Sequence, residues 1–162
     1  MGEAARRKHE PQAMNQDQVR HLLQFADRSF PDRTREALFR QLGYECFHCR
    51  NLGQWIGQYT EDVQSFLDWV NVQHGSRYWE RIEFVDEDTL VLTGRVVQGC
   101  ACAFADCDNP PTSLCHHCCK AFQEQIFTTL LGRDVDVTID SGFLLGDERC
   151  STTIRIRKSL GS

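Results

Sequence analysis

The sequence predicts an α+β domain in which helices cover one face of a four-stranded antiparallel sheet. Three observations indicate this class. Apolar residues in the first half recur with helical spacing, those in two later segments alternate as in strands, and one further helical stretch separates the two strand segments. Strands that come as two hairpins, with helices before and between them, are typical of an α+β fold with an antiparallel sheet.

Three helices are predicted before the first strand. Residues 17–30 place apolar side chains on one helical face, and a second helix over residues 31–42 begins at a proline and is ended by Gly43. A third helix covers residues 61–73 and is ended by Gly75. The stretch between the second and third helices has no assigned element.

The first hairpin is predicted around the acidic loop at residues 86–88. Apolar residues alternate with polar ones on both sides of this loop: Ile82, Phe84, Leu90, Leu92 and Val96. Phe84 and Leu90 share a face only if the loop between them has an odd number of residues. This predicts a three-residue turn with Asp88 near the left-handed conformation.

The last helix is predicted over residues 113–131, with Gly132 after its end. A second hairpin follows, and its apolar residues again alternate with polar ones: Val135, Val137, Ile139, Cys150, Thr152, Ile154 and Ile156. The two predicted strands share one register, which places Cys150 on the buried face.

The turn of this hairpin is predicted at residues 145–146. That turn pairs Asp136 with Arg155 and Asp134 with Arg157 on the solvent face. Opposite charges across strands contribute about 0.2 to 1 kcal/mol each. The charge pattern therefore supports the register that the apolar pattern predicts.

Composition indicates one cytoplasmic globular domain. A chain of 162 residues with 41% hydrophobic residues suits a single core, which we assign to residues 15–158. Residues 1–14 are polar and lack the apolar run of a signal peptide, so we expect a disordered tail there. A net charge of -5 without a long basic stripe argues against nucleic-acid binding, and no apolar stretch is long enough to cross a membrane.

Cysteine is concentrated in one short segment. Six of the nine cysteines and two adjacent histidines lie within residues 100–119. In the cytoplasm, where thiols are kept reduced, this density indicates metal binding or thiol chemistry rather than disulfides. Thiolates and imidazoles are ligands that zinc selects, so the segment is first a candidate zinc site.

The cysteine spacing suggests how zinc would be bound. Cys100 and Cys102 form a C-x-C pair, and Cys115 and Cys118 form a C-x-x-C pair, so two pairs could bring four sulfurs to one ion. Five other side chains in this segment could substitute as ligands: Asp106, Cys107, His116, His117 and Cys119. A separate C-x-H-C motif earlier in the chain, with Cys46 and Cys49, could supply distant ligands or a dithiol.

A second interpretation of the cysteines needs no metal. Cys115, Cys118 and Cys119 share a helical face with Phe122 and Ile126, and this face should pack on the sheet. Free cysteine is often fully buried and behaves as a small hydrophobe. The sequence therefore leaves both interpretations open.

Aromatic residues are concentrated in the first half of the chain. The set comprises Trp55, Tyr59, Trp69, Tyr78 and Trp79. These side chains could line an apolar pocket between the helices and the sheet, or fill the core. The apolar residues 143–145 near the second turn either fold back onto a helix or form a contact surface, and a homodimer interface is one such surface.

The last third of the chain resembles a known family. The C-x-C pair, the cysteine-rich helix start, the helix end at residues 131–133 and the sequence GDERC at residues 146–150 are similar to those of 4-vinyl-reductase-type small-ligand-binding domains. They also resemble the related aminothiazoline-carboxylate hydrolase-like proteins. The resemblance covers residues 100–156 and implies a fold shared with a subunit of the TRAPP transport-particle complex. It further implies a dimer with an apolar pocket between helices and sheet.

The resemblance also implies a set of zinc ligands. The family's cysteine pattern falls on Cys100, Cys102, Cys118 and Cys150, with Cys115 or His116 at the remaining position at the helix start. The chain departs from the pattern at Thr152, where the family has an aromatic or bulky apolar residue. The additional Cys107 and Cys119 leave open which sulfurs correspond to the family's ligands.

Three functions follow from these observations. The first is a cytoplasmic ligand-binding or sensory domain, a homodimer for a small apolar or sulfur-containing ligand, in which zinc is structural. The second is a metal-dependent hydrolase of a small amide or thiazoline-like ring, with zinc-bound water as nucleophile and Asp106 or a histidine as general base. The third is an iron-sulfur or thiol redox protein. The metal content of the protein separates the third function from the first two, and an open coordination position on zinc would distinguish the second from the first.

Overall fold

The computed structural model describes residues 15–73, 76, 78–94, 100 and 102–158. These residues form five α-helices: α1 (Gln16–Ser29), α2 (Asp32–Cys49), α3 (Leu52–Gly57), α4 (Val63–Asn71) and α5 (Lys120–Leu131). They also form four strands: β1 (Trp79–Asp86), β2 (Thr89–Gly94), β3 (Val135–Ser141) and β4 (Ser151–Ile156). The predicted tail at residues 1–14, the helix end at Gly75 and the strand residue Val96 lie outside the described residues.

The four strands form one antiparallel sheet in the order β1-β2-β4-β3, which confirms the predicted fold class. Five side chains on its inner face are almost fully buried: Ile82, Leu90, Leu92, Val137 and Ile154. They belong to the main core together with Phe66 of α4 and with Phe127 and Leu130 of α5. Burying a side chain of this kind stabilises the fold by about 1.5 to 3 kcal/mol.

A smaller core lies on the side of α1 and α2. It is built from Leu23, Ala26, Phe39, Leu114 and Cys118. Leu114 and Cys118 belong to a six-residue π-helix, Leu114–Cys119, which runs directly into α5; we call it the π turn. The sequence predicted one continuous α-helix from residue 113. The helix ends as expected, with Gly132 in the left-handed conformation at φ 61°.

The predicted end of the second helix at Gly43 is wrong. Helix α2 continues to Cys49, and Gly43 is buried within it. A Cβ atom at Gly43 would lie 2.3 Å from the carbonyl oxygen of Cys118, so the glycine permits close contact between α2 and the π turn. The chain leaves α2 through Asn51 in the left-handed conformation and enters the short helix α3, which the sequence did not predict.

The first hairpin has the predicted pairing but a different turn. Phe84 pairs with Leu90, as expected. The connection is only the two residues between Asp86 and Thr89, and Asp88 is not among the described residues with positive φ, so the predicted left-handed Asp88 is wrong. A register shift between Phe84 and Asp86 leaves one extra residue in β1, so Phe84 and Leu90 still pair although the turn has only two residues.

The second hairpin has the predicted register. Asp136 lies opposite Arg155, and the N–H of Arg157 donates to the backbone carbonyl of Asp134 at 2.9 Å. The ion pair differs from the prediction, because the guanidinium of Arg157 contacts the carboxylate of Asp136 at 2.6 Å. The backbone bond fixes the strand register, while the long arginine side chain reaches diagonally to the next carboxylate.

Strand β1 lies at the edge of the sheet, where its outward backbone groups have no partner among the described strands. Asn71 at the end of α4 occupies part of this edge. Its amide oxygen accepts a hydrogen bond from the N–H of Ile82 at 2.8 Å, and its Nδ2 donates to the carbonyl of Ile82 at 2.7 Å. One side chain thus pairs with β1 as a neighbouring strand would.

None of the helices in the described residues combines the length and apolar character needed to span a membrane.

Candidate functional site

Cysteine side chains from four segments meet at one end of the sheet. Seven of the nine influence one another electrostatically: Cys46, Cys100, Cys102, Cys115, Cys118, Cys119 and Cys150. They come from α2, from the connection after β2, from the π turn and from the residue before β4. All nine cysteines are free thiols. We group the seven into a set of four and a set of three, and Cys102 links the two sets because its backbone N–H donates to Sγ of Cys100 at 3.5 Å.

The set of four, here the four-thiol set, consists of Cys100, Cys115, Cys119 and Cys150. Each member interacts electrostatically with the other three. Cys115 and Cys119 lie four residues apart in the π turn, so they extend from the same side of it. Cys100 and Cys150 approach from the connections that flank β2 and β4. The arrangement therefore brings three separate parts of the chain together.

Two glycines leave space for these connections. A Cβ atom at Gly94, the last residue of β2, would lie 3.0 Å from the Cβ atom of Cys150. The N–H of Gly94 also donates to the carbonyl of Cys150 at 2.8 Å. A Cβ atom at Gly142 would lie 3.3 Å from Sγ of Cys115. Small residues at both positions thus allow the backbone to approach the sulfurs closely.

Burial favours the protonated form of three thiols of the four-thiol set when no cation is bound. Burial, together with negative charge on neighbouring sulfurs, raises the pKa of Cys115 and of Cys119 to about 12. Burial also raises the pKa of Cys100. For these three thiols, cationic side chains of the described residues are not among the main influences on the pKa. A bound metal ion would supply the missing positive charge.

Gln123 on α5 makes an unusual contact with this set. The residue is only 5% exposed, and its Nε2 donates to Sγ of Cys119 at 3.2 Å. Its Oε1 is buried and has no partner among the described residues. This hydrogen bond favours the thiolate and lowers the pKa of Cys119, in opposition to the larger effect of burial. The contact fits a metal-bound Cys119.

The set of three, here the three-thiol set, consists of Cys46, Cys102 and Cys118. A hydrogen bond joins the thiols of Cys46 and Cys118. That hydrogen bond lowers the pKa of Cys46 to about 7, with burial opposing the shift and the charge of Arg50 supporting it. The same bond, followed by burial, raises the pKa of Cys118. Cys46 is therefore the sulfur of this pair that gives up its proton.

Two predicted cysteine ligands lie apart from both sets. Cys49 is exposed at the end of α2. Cys107 lies beside α1, where its sulfur donates to the carbonyl of Phe104 and accepts a hydrogen bond from Gln24, each at 3.7 Å. The sequence motif at Cys46 and Cys49 is therefore divided, and only Cys46 joins the other sulfurs.

The predicted non-sulfur ligands also lie away from the cysteine sets. His116 is exposed, and burial lowers the pKa of His117, which lies beside Glu36 of α2. The side chain of Asp106 is 90% exposed and lies 3.5 Å from Arg20. The structure therefore brings sulfur atoms together without either histidine or this carboxylate.

A preformed metal site is not present in the described part of the chain. No group of three or more His, Cys, Asp or Glu side chains there is placed to hold a metal ion. The sulfurs of the four-thiol set are neighbours, but a zinc site needs them about 2.3 Å from one centre. Zinc binding stays a prediction, and it would require these thiols to lose their protons and move closer together.

An apolar cavity of about 250 Å³ lies between the helices and β1. Four of the five aromatic residues singled out in the sequence line it: Trp55, Trp69, Tyr78 and Trp79. Aliphatic side chains of α3 and α5 complete the wall, with Leu52 on α3 and Ile126 on α5. Tyr59, the fifth aromatic residue, packs against Trp55 and Phe66 instead.

Arg50 connects this cavity with the three-thiol set. Its guanidinium donates a short hydrogen bond to the hydroxyl of Tyr78 and lies 6.0 Å from the centre of that ring. It also interacts electrostatically with Cys46 and Cys102. No motif in the sequence indicates this role, because the partner of Arg50, Tyr78, is distant in the chain. Gln123 was missed for the same reason, since a lone glutamine in an amphipathic helix has no motif.

Comparison with known proteins gives a distant structural similarity. No protein-family model matches the sequence, and no curated protein matches it either. Among solved structures, the chain is similar to trafficking protein particle complex subunit 3 from Naegleria fowleri, which was crystallised covalently bound to palmitic acid. The TM-score is 0.40 with 9% identity, over 93% of this chain and 87% of that chain. At this level of similarity, the match assigns neither a ligand nor a partner to this chain.

Proposed function

We propose that this chain is a ligand-binding or sensory domain in which the four-thiol set binds one structural zinc ion. The observation that carries the proposal is the grouping of four cysteines from three parts of the chain, of which Cys115 is buried and the other three are partly buried. A zinc ion there would join the π turn to the connections at both ends of the sheet. With four protein ligands, it would have no open position for catalysis.

The environment of the sulfurs supports zinc in this set over the three-thiol set. Arg50 already provides positive charge beside Cys46 and Cys102. The pKa values of Cys100, Cys115 and Cys119 are shifted by burial and by other cysteines, and no cationic side chain is among the main influences. Gln123 donates to Cys119, as groups around a metal-bound thiolate commonly do. The four-thiol set therefore lacks a nearby positive charge, and a zinc ion would supply it.

The cavity lined by tryptophan is the proposed ligand site. Its walls are apolar and aromatic, which suits a small apolar ligand. A ligand that displaces Tyr78 would also disturb its hydrogen bond with Arg50, and Arg50 lies beside two cysteines. Occupancy of the cavity would thereby alter the thiol environment, which is the response expected of a sensory domain.

The similarity to 4-vinyl-reductase-type domains is part of this proposal and rests on the sequence motif at residues 100–156. A cytoplasmic homodimer belongs to the same proposal. Sedimentation of the purified chain tests the dimer, for which a single species of twice the monomer mass is expected. A monomer at micromolar concentration would contradict it.

Elemental analysis of protein purified without oxygen tests the zinc proposal. We expect about one zinc ion per chain, and loss of that zinc in the variants Cys119→Ser and Cys150→Ser. Cys107→Ser is the matched control, because Cys107 lies beside α1 and away from both sets. Circular dichroism verifies that each variant is folded. Protein without metal, or a brown protein containing iron, would contradict the proposal.

Binding of the neutral fluorescent probe N-phenyl-1-naphthylamine tests the cavity. Leu52→Trp narrows the cavity and should weaken probe binding at least tenfold. Leu38→Trp is the control, because Leu38 is a half-exposed residue of α2 outside the cavity. Equal binding by both variants would contradict the proposed ligand site and leave the zinc result unaffected.

A further inference from the structure

Arg50 lies at the edge of the cavity lined by tryptophan. It follows the last residue of α2 and is separated by one residue from Leu52, which lines the cavity. Its guanidinium donates a hydrogen bond to the hydroxyl of Tyr78, another lining residue, and lies 6.0 Å from the centre of that ring. Both its chain neighbour and its side-chain partner therefore belong to the cavity wall.

The positive charge of Arg50 makes no ion pair with a carboxylate in the part of the chain that the structure describes. Arg40 on the same helix, in contrast, contacts the carboxylate of Glu124 at 2.7 Å. Arg50 is also exposed to solvent. Bidentate pairing with a carboxylate is among the strongest hydrogen-bonded interactions of a guanidinium, so Arg50 is suited to bind an anion.

The cavity wall itself carries no charge among the described residues. Five aromatic side chains line it: Trp55, Trp69, Tyr78, Trp79 and Phe122. The other lining residues are aliphatic, apart from the hydroxyl of Ser76. A charged group is costly in such surroundings without a partner, so a charged ligand must place its charge at the edge. Arg50 at that edge attracts an anion and repels a cation.

The size and the rings of the cavity restrict the apolar part of the ligand. Its volume of about 250 Å³ lies below the range of roughly 300 to 1,000 Å³ that is typical of sites for drug-sized ligands. Trp55 and Trp69 already pack edge to face, with their ring centres 4.8 Å apart. A further aromatic ring can add to this arrangement by the same kind of contact.

We propose that the ligand is a small aromatic carboxylic acid, whose ring lies among the tryptophans and whose carboxylate binds Arg50 in place of the hydroxyl of Tyr78. This inference rests on the proposed function, because it specifies the ligand of the same cavity. Arg50 is the residue that selects the acid over uncharged compounds of the same shape.

The exchange of partners at Arg50 changes a side chain and leaves the backbone in place. Oγ of Ser76 accepts hydrogen bonds from the N–H groups of Tyr78 and Trp79 at 3.1 and 3.0 Å. These bonds hold the backbone at the start of β1. Binding of the acid therefore releases the hydroxyl of Tyr78 from Arg50 without shifting the strand.

Calorimetric titration of the metal-containing protein with matched compounds tests the inference. 3-Phenylpropionate is ionised at neutral pH, whereas 3-phenylpropionamide has the same ring and chain length without the charge. The acid should bind roughly tenfold more tightly than the amide, because only the acid forms a charged pair with Arg50. Octanoate, an acid without a ring, should bind more weakly than 3-phenylpropionate.

Four variants locate the binding. Arg50→Gln should remove the preference for the acid and leave the affinity for the amide unchanged. Arg33→Gln is the matched control, because it removes the same charge from an exposed position of α2 outside the cavity. Tyr78→Phe removes the competing hydroxyl and should strengthen binding of the acid. Leu52→Trp should weaken binding of both compounds, since both occupy the cavity.

The outcomes separate this inference from the proposed ligand site. Equal affinity for acid and amide, with both weakened by Leu52→Trp, would overturn the role of the carboxylate and leave the cavity proposal standing. A preference for the acid that persists in Arg50→Gln would overturn the assignment of Arg50. Tighter binding of octanoate would overturn the aromatic class. Failure of both aromatic compounds to bind would overturn the inference, while binding of the fluorescent probe would still support the cavity.

Discussion

Gly43 has no space for a side chain, and this makes it a sharp test of the contact between α2 and the π turn. A methyl group there would lie 2.3 Å from the carbonyl oxygen of Cys118, which is backbone and cannot rotate away. We expect Gly43→Ala to destabilise the protein by about 3 kcal/mol. For a domain of this size, that loss lowers the melting temperature by roughly 6 to 12 °C.

Gly57→Ala is the matched control for this substitution. A Cβ atom at Gly57, the last residue of α3, would have nothing within 4 Å. Alanine is the better helix former, so the control should leave the melting temperature unchanged or raise it slightly. Equal losses in the two variants would contradict the close packing of α2 on the π turn.

Asp136 provides a residue-level test that depends on pH. The hydrogen bond from Arg157 holds the pKa of this carboxyl below its usual value. A depressed folded-state pKa stabilises the fold above the unfolded-state pKa of about 4, and the contribution is lost as the pH falls through the lower folded value. The difference in melting temperature between the parent and Asp136→Asn should therefore shrink between pH 6 and pH 3. A constant difference would contradict the ion pair.

The sequence predicted individual residues well where local chemistry decides their role. Gly132 after the last helix is an example, because a left-handed helix end needs no distant partner. Arg50 and Gln123 are the opposite case. Arg50 is identified by its hydrogen bond with Tyr78, and Gln123 by its buried amide oxygen, which has no partner among the described residues. Both features arise only when the chain is folded.

At the scale of elements, the edge of β1 depends on Asn71. Asn71→Ala leaves the N–H and carbonyl of Ile82 without their partners, which should cost about 1 to 3 kcal/mol. The uncovered edge should also promote self-association, because a free strand edge can pair with another chain. Thermal unfolding and sedimentation measure the two effects.

Gln64→Ala is the control on the same helix. Its amide contacts only the exposed Asp68 of α4, at 2.9 Å, so removal should change stability by less than about 0.5 kcal/mol. If Asn71→Ala were as mild as this control, the pairing of Asn71 with β1 would not be a stabilising interaction.

The elements with a strong repeating pattern were predicted correctly, and those decided by contact were not. Alternation of apolar residues indicated both hairpins and the pair Asp136 and Arg155. Gly43 was read as a helix end because glycine disfavours helices locally, whereas tertiary packing requires it inside α2. The π turn has no sequence signature, so its onset was assigned to an ordinary helix.

At the scale of the whole molecule, the π turn connects the two cores. Cys118 and Leu114 belong to the smaller core, while α5, which continues the π turn, supplies Phe127 to the main one. A metal bound at the start of this helix should therefore stabilise the entire domain. Zinc that binds only the folded chain, at 100 times its dissociation constant, adds about 2.7 kcal/mol.

Chelation tests this connection. Adding a strong zinc chelator should lower the melting temperature in one cooperative transition, because both cores share the helix that zinc anchors. The variant Cys119→Ser should unfold at the same temperature with and without chelator. A chelator effect of equal size in that variant would show that the stabilising metal is bound elsewhere.

The convergence of the cysteines was only partly predictable. The density of thiols at residues 100–119 indicated a site, and the family resemblance implied Cys150. The histidines and Asp106 were grouped with them by proximity in the chain, yet they lie on other surfaces of the fold. The grouping of the sulfurs depends on the π turn. Cys118 lies near Cys46 of α2, whereas Cys119 lies near Cys115.

X-ray absorption at the zinc edge tests the central claim most directly, because it reports the ligands of the metal without reference to any variant. Our account predicts a first shell of four sulfur atoms at about 2.3 Å, with no nitrogen or oxygen ligand. A shell that includes nitrogen or oxygen at about 2.0 Å would contradict it, since it would mean histidine, carboxylate or water in place of a cysteine of the four-thiol set.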